Sequence, residues 1–401
     1  MKISTKNISL YALMVLIAIS FATLSLTGCG SNGNNTGVSG TGKVTFIDSL
    51  PTLTGDQSWR LYVVPNSATE IKTSTQPVAI GLSSNANYVN RSVSLRKVIS
   101  GSIGSNQSSG DWNETGDYHV VITIVEGITI RTWKVLSNVA FTNGNADILY
   151  NDFVQLNRIV FNDEFPQFGY QSNENYICIV DGSITSIYDS SPIIASSRQG
   201  PPSSDINTND KSIRLMQGHL SNAGVFWPYF EYSSSDWQGT GSHTVILRTG
   251  YNRYSFIPEV NFVFGGANIS MSQLLRFGEI TWTDNPPEEL PSDREWFLFA
   301  VPNDNTNITV NTKVFALWRS SFTIDVSDNP NIIYLADAAE TVISESGSTF
   351  SIWGASGLYT LVLAETNTGV NHTFTTFLVN RNVEFYYGRA SVALSDFIEQ
   401  N

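Results

Sequence analysis

Hydrophobic and polar residues alternate in short runs along most of the chain, and this alternation is the clearest indication of its secondary structure. The apolar positions of two such runs are Trp59, Leu61 and Val63, and Tyr118, Val120, Ile122 and Ile124. A period of two residues is typical of strands that pack one face against a core. Clusters of Gly, Asn, Pro and Ser separate the runs, and short helical turns are expected only near residues 270–277 and 392–400. The pattern predicts an all-β protein.

The motif Trp-x-x-[Ser/Thr]-Gly-x-[Tyr/His] occurs three times and divides the chain into copies. Its ring and glycine positions are Trp112, Gly116 and Tyr118, then Trp237, Gly241 and His243, then Trp353, Gly357 and Tyr359. An opening strand, an aromatic second strand and a closing Phe-x-x-Gly segment recur around each motif in the same order. Agreement at four separated landmarks, with a period of roughly 120 residues, indicates tandem duplication.

The repeat length is that of a β-sandwich, so the sequence predicts three tandem β-sandwich domains, immunoglobulin-like or similar, of about 115–120 residues each. The predicted boundaries are 42–156 for module 1, 157–277 for module 2 and 278–401 for module 3. No Gly- or Pro-rich linker separates the modules, which favours a semi-rigid rod. The insertions that vary most between copies are the expected places for binding specificity, and they span 100–110, 196–209 and 338–348.

The N-terminal segment has the features of an export signal. A basic start at residues 1–6 is followed by an apolar stretch at 8–24, and the segment ends in Leu26, Thr27, Gly28 and Cys29. This order resembles the signal peptide and lipobox of bacterial lipoproteins. An ordinary signal peptide or an uncleaved anchor with an incidental cysteine is the alternative.

The lipoprotein resemblance implies how the chain is processed and where it resides. Residues 1–28 would be the signal peptide, Cys29 would carry a covalent lipid, and residues 29–41 would form a flexible tether. Two or three acyl chains anchor a protein stably, since each buried CH₂ contributes about 0.8 kcal/mol. The expected location is the bacterial cell envelope, at the outer membrane or cell surface. The sequence of the modules themselves indicates no named family.

Charge and cysteine content narrow the class of partners. The formal net charge is −13, and only 14% of the residues are charged. An acidic chain without a basic run is a poor candidate for binding nucleic acid. If Cys29 carries lipid, Cys178 has no partner for an intramolecular disulfide and is expected to be a small apolar core residue.

The repeated tryptophans and aspartates are the candidate ligand sites. Trp112, Trp237 and Trp353 are either sugar-stacking platforms or plugs that close one end of each sandwich, and their fixed spacing to a strand favours the plug. His243 occupies the position of Tyr118 and Tyr359, which indicates packing. An aspartate follows each opening strand as a weak calcium candidate, although a local turn is the favoured role; these residues are Asp48, Asp163 and Asp284.

No catalytic motif stands out, so the sequence predicts a protein that is not an enzyme and needs no cofactor or metal. The first functional hypothesis is a membrane-anchored surface lipoprotein whose modules serve adhesion or partner binding. A second hypothesis is a carbohydrate-binding component of a nutrient-capture system. A third is a structural spacer of the envelope.

Overall fold

The protein is represented by a computed structural model, which describes residues 42–53, 55–166, 176–188, 191–197, 206–220, 230–248, 254–320, 329–338, 341–345, 353–367 and 373–400. The described chain is all-β, as the alternation predicted, and its only helices are single 3₁₀ turns. None of these helices has the length and apolar character needed to cross a membrane.

Module 1 forms two sheets. Its strands are β1 (Lys43–Phe46), β2 (Gln57–Pro65), β3 (Ala79–Leu82), β4 (Ala86–Asn87), β5 (Ser92–Ser94), β6 (Arg96–Gly101), β7 (Asn106–Asp111), β8 (Gly116–Glu126), β9 (Thr129–Phe141), β10 (Asn145–Ile148) and β11 (Val154–Gln155). The small sheet has the order β10-β1-β5-β4 and the large sheet β11-β9-β8-β2-β3-β6-β7. Short 3₁₀ helices occupy Ser83–Asn85 and Tyr150–Asp152.

Module 2 repeats this arrangement. Its strands are β12 (Arg158–Phe161), β13 (Tyr176–Asp181), β14 (Ile193–Ser196), β15 (Ile206–Asn207), β16 (Ser212–Arg214), β17 (Met216–Leu220), β18 (Phe230–Asp236), β19 (Gly241–Arg248), β20 (Tyr254–Phe262), β21 (Ala267–Ile269) and β22 (Leu275–Arg276). The sheet orders are β15-β16-β12-β21 and β18-β17-β14-β13-β19-β20-β22. A 3₁₀ helix spans Met271–Gln273.

Module 3 has the same plan with fewer described strands. They are β23 (Glu279–Trp282), β24 (Arg294–Pro302), β25 (Ala316–Arg319), β26 (Ile332–Tyr334), β27 (Ala336–Asp337), β28 (Gly357–Asn367), β29 (Phe374–Phe385), β30 (Ala390–Val392) and β31 (Ile398–Glu399). The sheet orders are β26-β23-β30 and β27-β25-β24-β28-β29-β31. The 3₁₀ helices are Ile343–Glu345 and Leu394–Asp396. No described sheet contains strands from two modules.

Each pair of sheets encloses a hydrophobic core. In module 1 the core contains Trp59, Leu61 and Val63 from the large sheet and Val44 and Phe46 from the small one. The apolar residues predicted to share one face therefore do so. The first strand of each module also pairs in parallel with a late strand, β1 with β10, β12 with β21 and β23 with β30. This pairing closes each module on itself.

The large sheet is buried on its second face as well, which the strict alternation did not predict. Tyr62 and Val64 point away from the core of module 1 into a separate apolar cluster. Ile103 covers this face from the tip of the β6–β7 hairpin, and its carbonyl accepts a hydrogen bond of 2.8 Å from the Tyr62 hydroxyl. In module 3, Ala338 and Ile343 lie in the corresponding cluster. The insertions of modules 1 and 3 thus each bury at least one apolar side chain against the large sheet, although most of residues 100–110 are exposed.

Candidate functional site

The repeated tryptophans are enclosed in three-ring clusters. Their exposed fractions are 1% for Trp112, 8% for Trp237 and 3% for Trp353. Each indole meets a phenylalanine and the motif's last residue edge to face; the pairs with phenylalanine are Trp112–Phe141 at 4.9 Å, Trp237–Phe262 at 5.1 Å and Trp353–Phe385 at 4.7 Å. No ring face is free to stack on a pyranose. The stacking-platform hypothesis is therefore wrong for these residues, and the plug describes them.

Two glycines in each copy support the plug, one by its backbone conformation and the other by the space it leaves. The motif glycines Gly116, Gly241 and Gly357 have φ values of 148°, 119° and 122°, a backbone region that L-residues with a Cβ rarely adopt. The glycine of the closing segment lies against the tryptophan backbone: a Cβ on Gly265 would stand 2.0 Å from the Trp237 carbonyl oxygen. The repeated Trp and Gly positions thus form one folding device.

The third ring of each cluster is supplied by Tyr118, His243 or Tyr359, at 5.3, 5.3 and 5.0 Å from its tryptophan. His243 therefore packs as an aromatic ring, as predicted from its position.

Cys178 is fully buried in an apolar cluster of module 2, and burial raises the pKa of its thiol. Cys29, Leu26, Thr27 and Gly28 lie outside the described residues.

The three aspartates hold the two ends of each module together. The carboxylate of Asp48 accepts hydrogen bonds from the N–H groups of Tyr150 and Asn151 at 2.7 and 2.9 Å. Asp163 bonds Met271 and Ser272 in the same way, and Asp284 bonds Leu394 and Ser395. Each carboxylate therefore caps a 3₁₀ helix more than 100 residues later. The prediction of a local turn missed these partners, and both oxygens are engaged in structural bonds rather than grouped for calcium.

Module 2 docks on module 1 through an aromatic residue in a strained conformation. Phe264 has a φ of 49° and joins the apolar cluster on the outer face of the large sheet of module 1. Its ring meets His119 edge to face at 4.9 Å. Beside it, the Gln238 side chain bonds the Ile71 N–H at 2.7 Å and the Ile71 carbonyl at 3.0 Å.

Module 3 docks on module 2 in the same way. Tyr387, at a φ of 51°, is buried beside Phe256 with ring centroids 4.8 Å apart. Its hydroxyl donates a hydrogen bond of 2.7 Å to the Ile184 carbonyl. Ile187 pairs with Gly354 as a single β-bridge. The described residues of the three modules accordingly belong to one compact unit.

Modules 1 and 3 each have one position that is equivalent to a docking residue but lies outside the two junctions, and these outer positions carry different residues or contacts. Module 1 has Asn143 where the other modules have Phe264 and Tyr387, and Asn143 is exposed at the same left-handed φ of 50°. In module 3, Gln400 bonds the N–H and carbonyl of Ile308 at 3.2 and 3.1 Å. Phe264 and Tyr387 were not among the predicted site residues, although the aligned closing segments already contained this change from polar to aromatic.

A polar groove of about 1050 Å³ lies between modules 1 and 2. Residues 70–74 and 130–133 of module 1 form one side of it, and residues of β16, β17 and β18 form the other. Its side chains include the half-buried indole of Trp133 and the cross-strand neighbours Arg158 and Arg214. Clefts at domain interfaces are common ligand sites, so this groove is the candidate functional site.

Among the described residues, no group of three or more His, Cys, Asp and Glu side chains is arranged to hold a metal ion. No protein-family model, curated protein or solved structure matches the chain.

Proposed function

We propose that the chain is a lipid-anchored, non-enzymatic protein of the bacterial cell envelope that presents its modules for adhesion or partner binding. The lipobox-like sequence that ends at Cys29 supports the anchor. The docking of Phe264 and Tyr387 carries the presenting role, because buried aromatic contacts at both junctions hold successive modules in fixed positions. Surfaces that are fixed relative to one another can bind a partner without first losing the entropy of free modules.

A carbohydrate-binding role in nutrient capture is the second candidate function. The repeated tryptophans give it no support because they are buried. The groove between modules 1 and 2 favours it, since an indole and many planar polar side chains line one cleft. A purely structural spacer would need no such groove.

Replacement of the two cysteines tests the anchor. Wild-type protein expressed in bacteria with a radiolabelled fatty acid should be labelled and should sediment with membranes. Cys29→Ser should abolish both the label and the sedimentation. Cys178→Ser is the matched control, because it removes the only other thiol and should leave both unchanged. Fatty-acid label or membrane retention in the Cys29→Ser protein would contradict the proposal.

A further inference from the structure

The groove between modules 1 and 2 differs from a plain crevice because its polar side chains are held in place. Arg214 donates from Nε to Asp236 Oδ1 at 2.6 Å. Arg158 donates from Nε to the Ser212 hydroxyl at 2.8 Å and from Nη2 to the Ser212 carbonyl at 3.2 Å. Side chains that are already ordered lose little entropy when a ligand binds.

The two arginines stand directly opposite each other on neighbouring antiparallel strands. Like charges in such a pair are destabilising. The equivalent pairs are Lys43 with Ser94 in module 1 and Glu279 with Tyr334 in module 3. The sheet therefore does not require two cations here, and their presence at the groove suggests a role in binding.

The described part of the second junction carries different side chains at the corresponding positions. Arg276 and Tyr334 occupy the positions that Gln155 and Arg214 have at the first junction. The Arg276 guanidinium lies over the Tyr334 ring, 5.1 Å from its centroid. Tyr254 is buried at the position of Trp133, whose indole is only half-buried. Among the described residues, the two junctions therefore carry different side chains at these positions.

The chemistry of the groove indicates the class of ligand. Its cationic side chains are interleaved with carboxylates, which form ion pairs between Lys72 and Glu70 and between Arg214 and Asp236. A polyanion is disfavoured by this mixture, and an apolar peptide would find few apolar surfaces. Adjacent guanidinium, carboxylate and amide groups offer donors and acceptors that match neighbouring hydroxyls.

We infer that this groove binds an oligosaccharide, with Trp133 stacking on a sugar ring and Arg158, Arg214 and Asp236 bonding its hydroxyls. The inference rests on the proposed binding role and gives it a ligand class and a place. An open groove across a junction suits an extended sugar chain better than a small enclosed molecule.

Binding of the full chain, purified in detergent, to a printed panel of neutral and uronate-bearing oligosaccharides tests the inference, with sulfated oligosaccharides and hexapeptides as further arms. At least one neutral or uronate sugar should bind. Trp133→Leu and Arg214→Gln should each weaken its binding about tenfold or more, which corresponds to 1.4 kcal/mol. Tyr334→Leu at the second junction is the control and should leave binding unchanged.

Thermal melting of every variant shows which of them are folded, and either groove variant alone is sufficient for the comparison. Absence of sugar binding, binding only to peptides or sulfated sugars, or equal binding by wild type and the folded groove variants would overturn the inference. Such results leave the fatty-acid labelling of Cys29 untouched, so failure of the groove and failure of the anchor are distinguishable.

Discussion

The side-chain amide of Gln238 bonds both backbone groups of Ile71, a residue 167 positions earlier in the preceding module. Gln400 makes the same two bonds to Ile308 within module 3. Ile71 and Ile308 occupy equivalent positions, but their backbone groups are bonded differently. Ile71 bonds a side chain of the next module, whereas Ile308 bonds a side chain of its own module. This difference allows junction strength and module strength to be measured separately.

Gln238→Ala should weaken the first junction. The Ile71 N–H and carbonyl would lose their partners, and a buried unsatisfied group costs about 1–3 kcal/mol. Limited proteolysis between the modules should become faster, and the melting temperature should fall. Gln400→Ala should lower the stability of module 3 without faster cleavage near residue 156, and equal cleavage patterns for the two variants would contradict this assignment.

Phe264→Asn should uncouple modules 1 and 2 while preserving the local backbone. Removal of a buried phenylalanine ring costs about 3–5 kcal/mol. Asparagine adopts the left-handed region more readily than phenylalanine, which offsets about 1–2 kcal/mol of that destabilisation. Calorimetry should then resolve a separate transition for module 1.

Asn143→Ala is the matched control for this change, since Asn143 occupies the equivalent position at a similar φ and is exposed. It should keep the melting profile of the wild type apart from a small shift. A single cooperative transition in the Phe264→Asn protein would mean that other contacts hold the junction.

Stability should decrease as the pH falls from 7 to 5. Burial lowers the pKa of His119, and burial lowers that of His243 although Asp181 acts in the opposite direction. An imidazole with a depressed folded pKa contributes stability that is present above its unfolded pKa of about 6.5 and is lost as the pH falls through the folded value.

The double variant His119→Thr, His243→Tyr tests this pH dependence. Both replacements occur at the equivalent positions of other copies, Thr244 and Tyr118. The melting temperature of the variant should change less between pH 7 and 5 than that of the wild type. Parallel pH profiles would show that these two imidazoles do not cause the loss.

Asp48→Ala should destabilise module 1 by about 1 kcal/mol, the usual cost of removing a helix cap. The pKa of Asp48 lies below its ordinary value because, although burial raises it, the hydrogen bonds from Tyr150 and Asn151 outweigh that effect. The stabilisation is present above about pH 3.8 and is lost as the pH falls through the folded pKa. Chemical denaturation at pH 7 and pH 3 measures it, and an equal difference between wild type and variant at both pH values would argue against the cap.

Local patterns predicted the strands, the repeat and the packing role of the tryptophans, because each depends on neighbours in sequence. They could not predict that Asp48 bonds residues 102 and 103 positions away, since that pairing depends on the parallel closure of β1 on β10. The second buried face of the large sheet was also missed. The signal for it was present in the sequence, because the outer positions Tyr62, Val64 and Val121 are themselves apolar.

The docking residue and the surface that receives it lie on different parts of a module, so their contact is head-to-tail. Contacts of this kind can repeat without limit and produce filaments when both surfaces are left open. Here the first module carries the polar Asn143 in place of the aromatic residue, and the third bonds Ile308 with its own Gln400. At these two outer positions, the described side chains therefore omit the aromatic insertion and the inter-module bonds that build the two junctions.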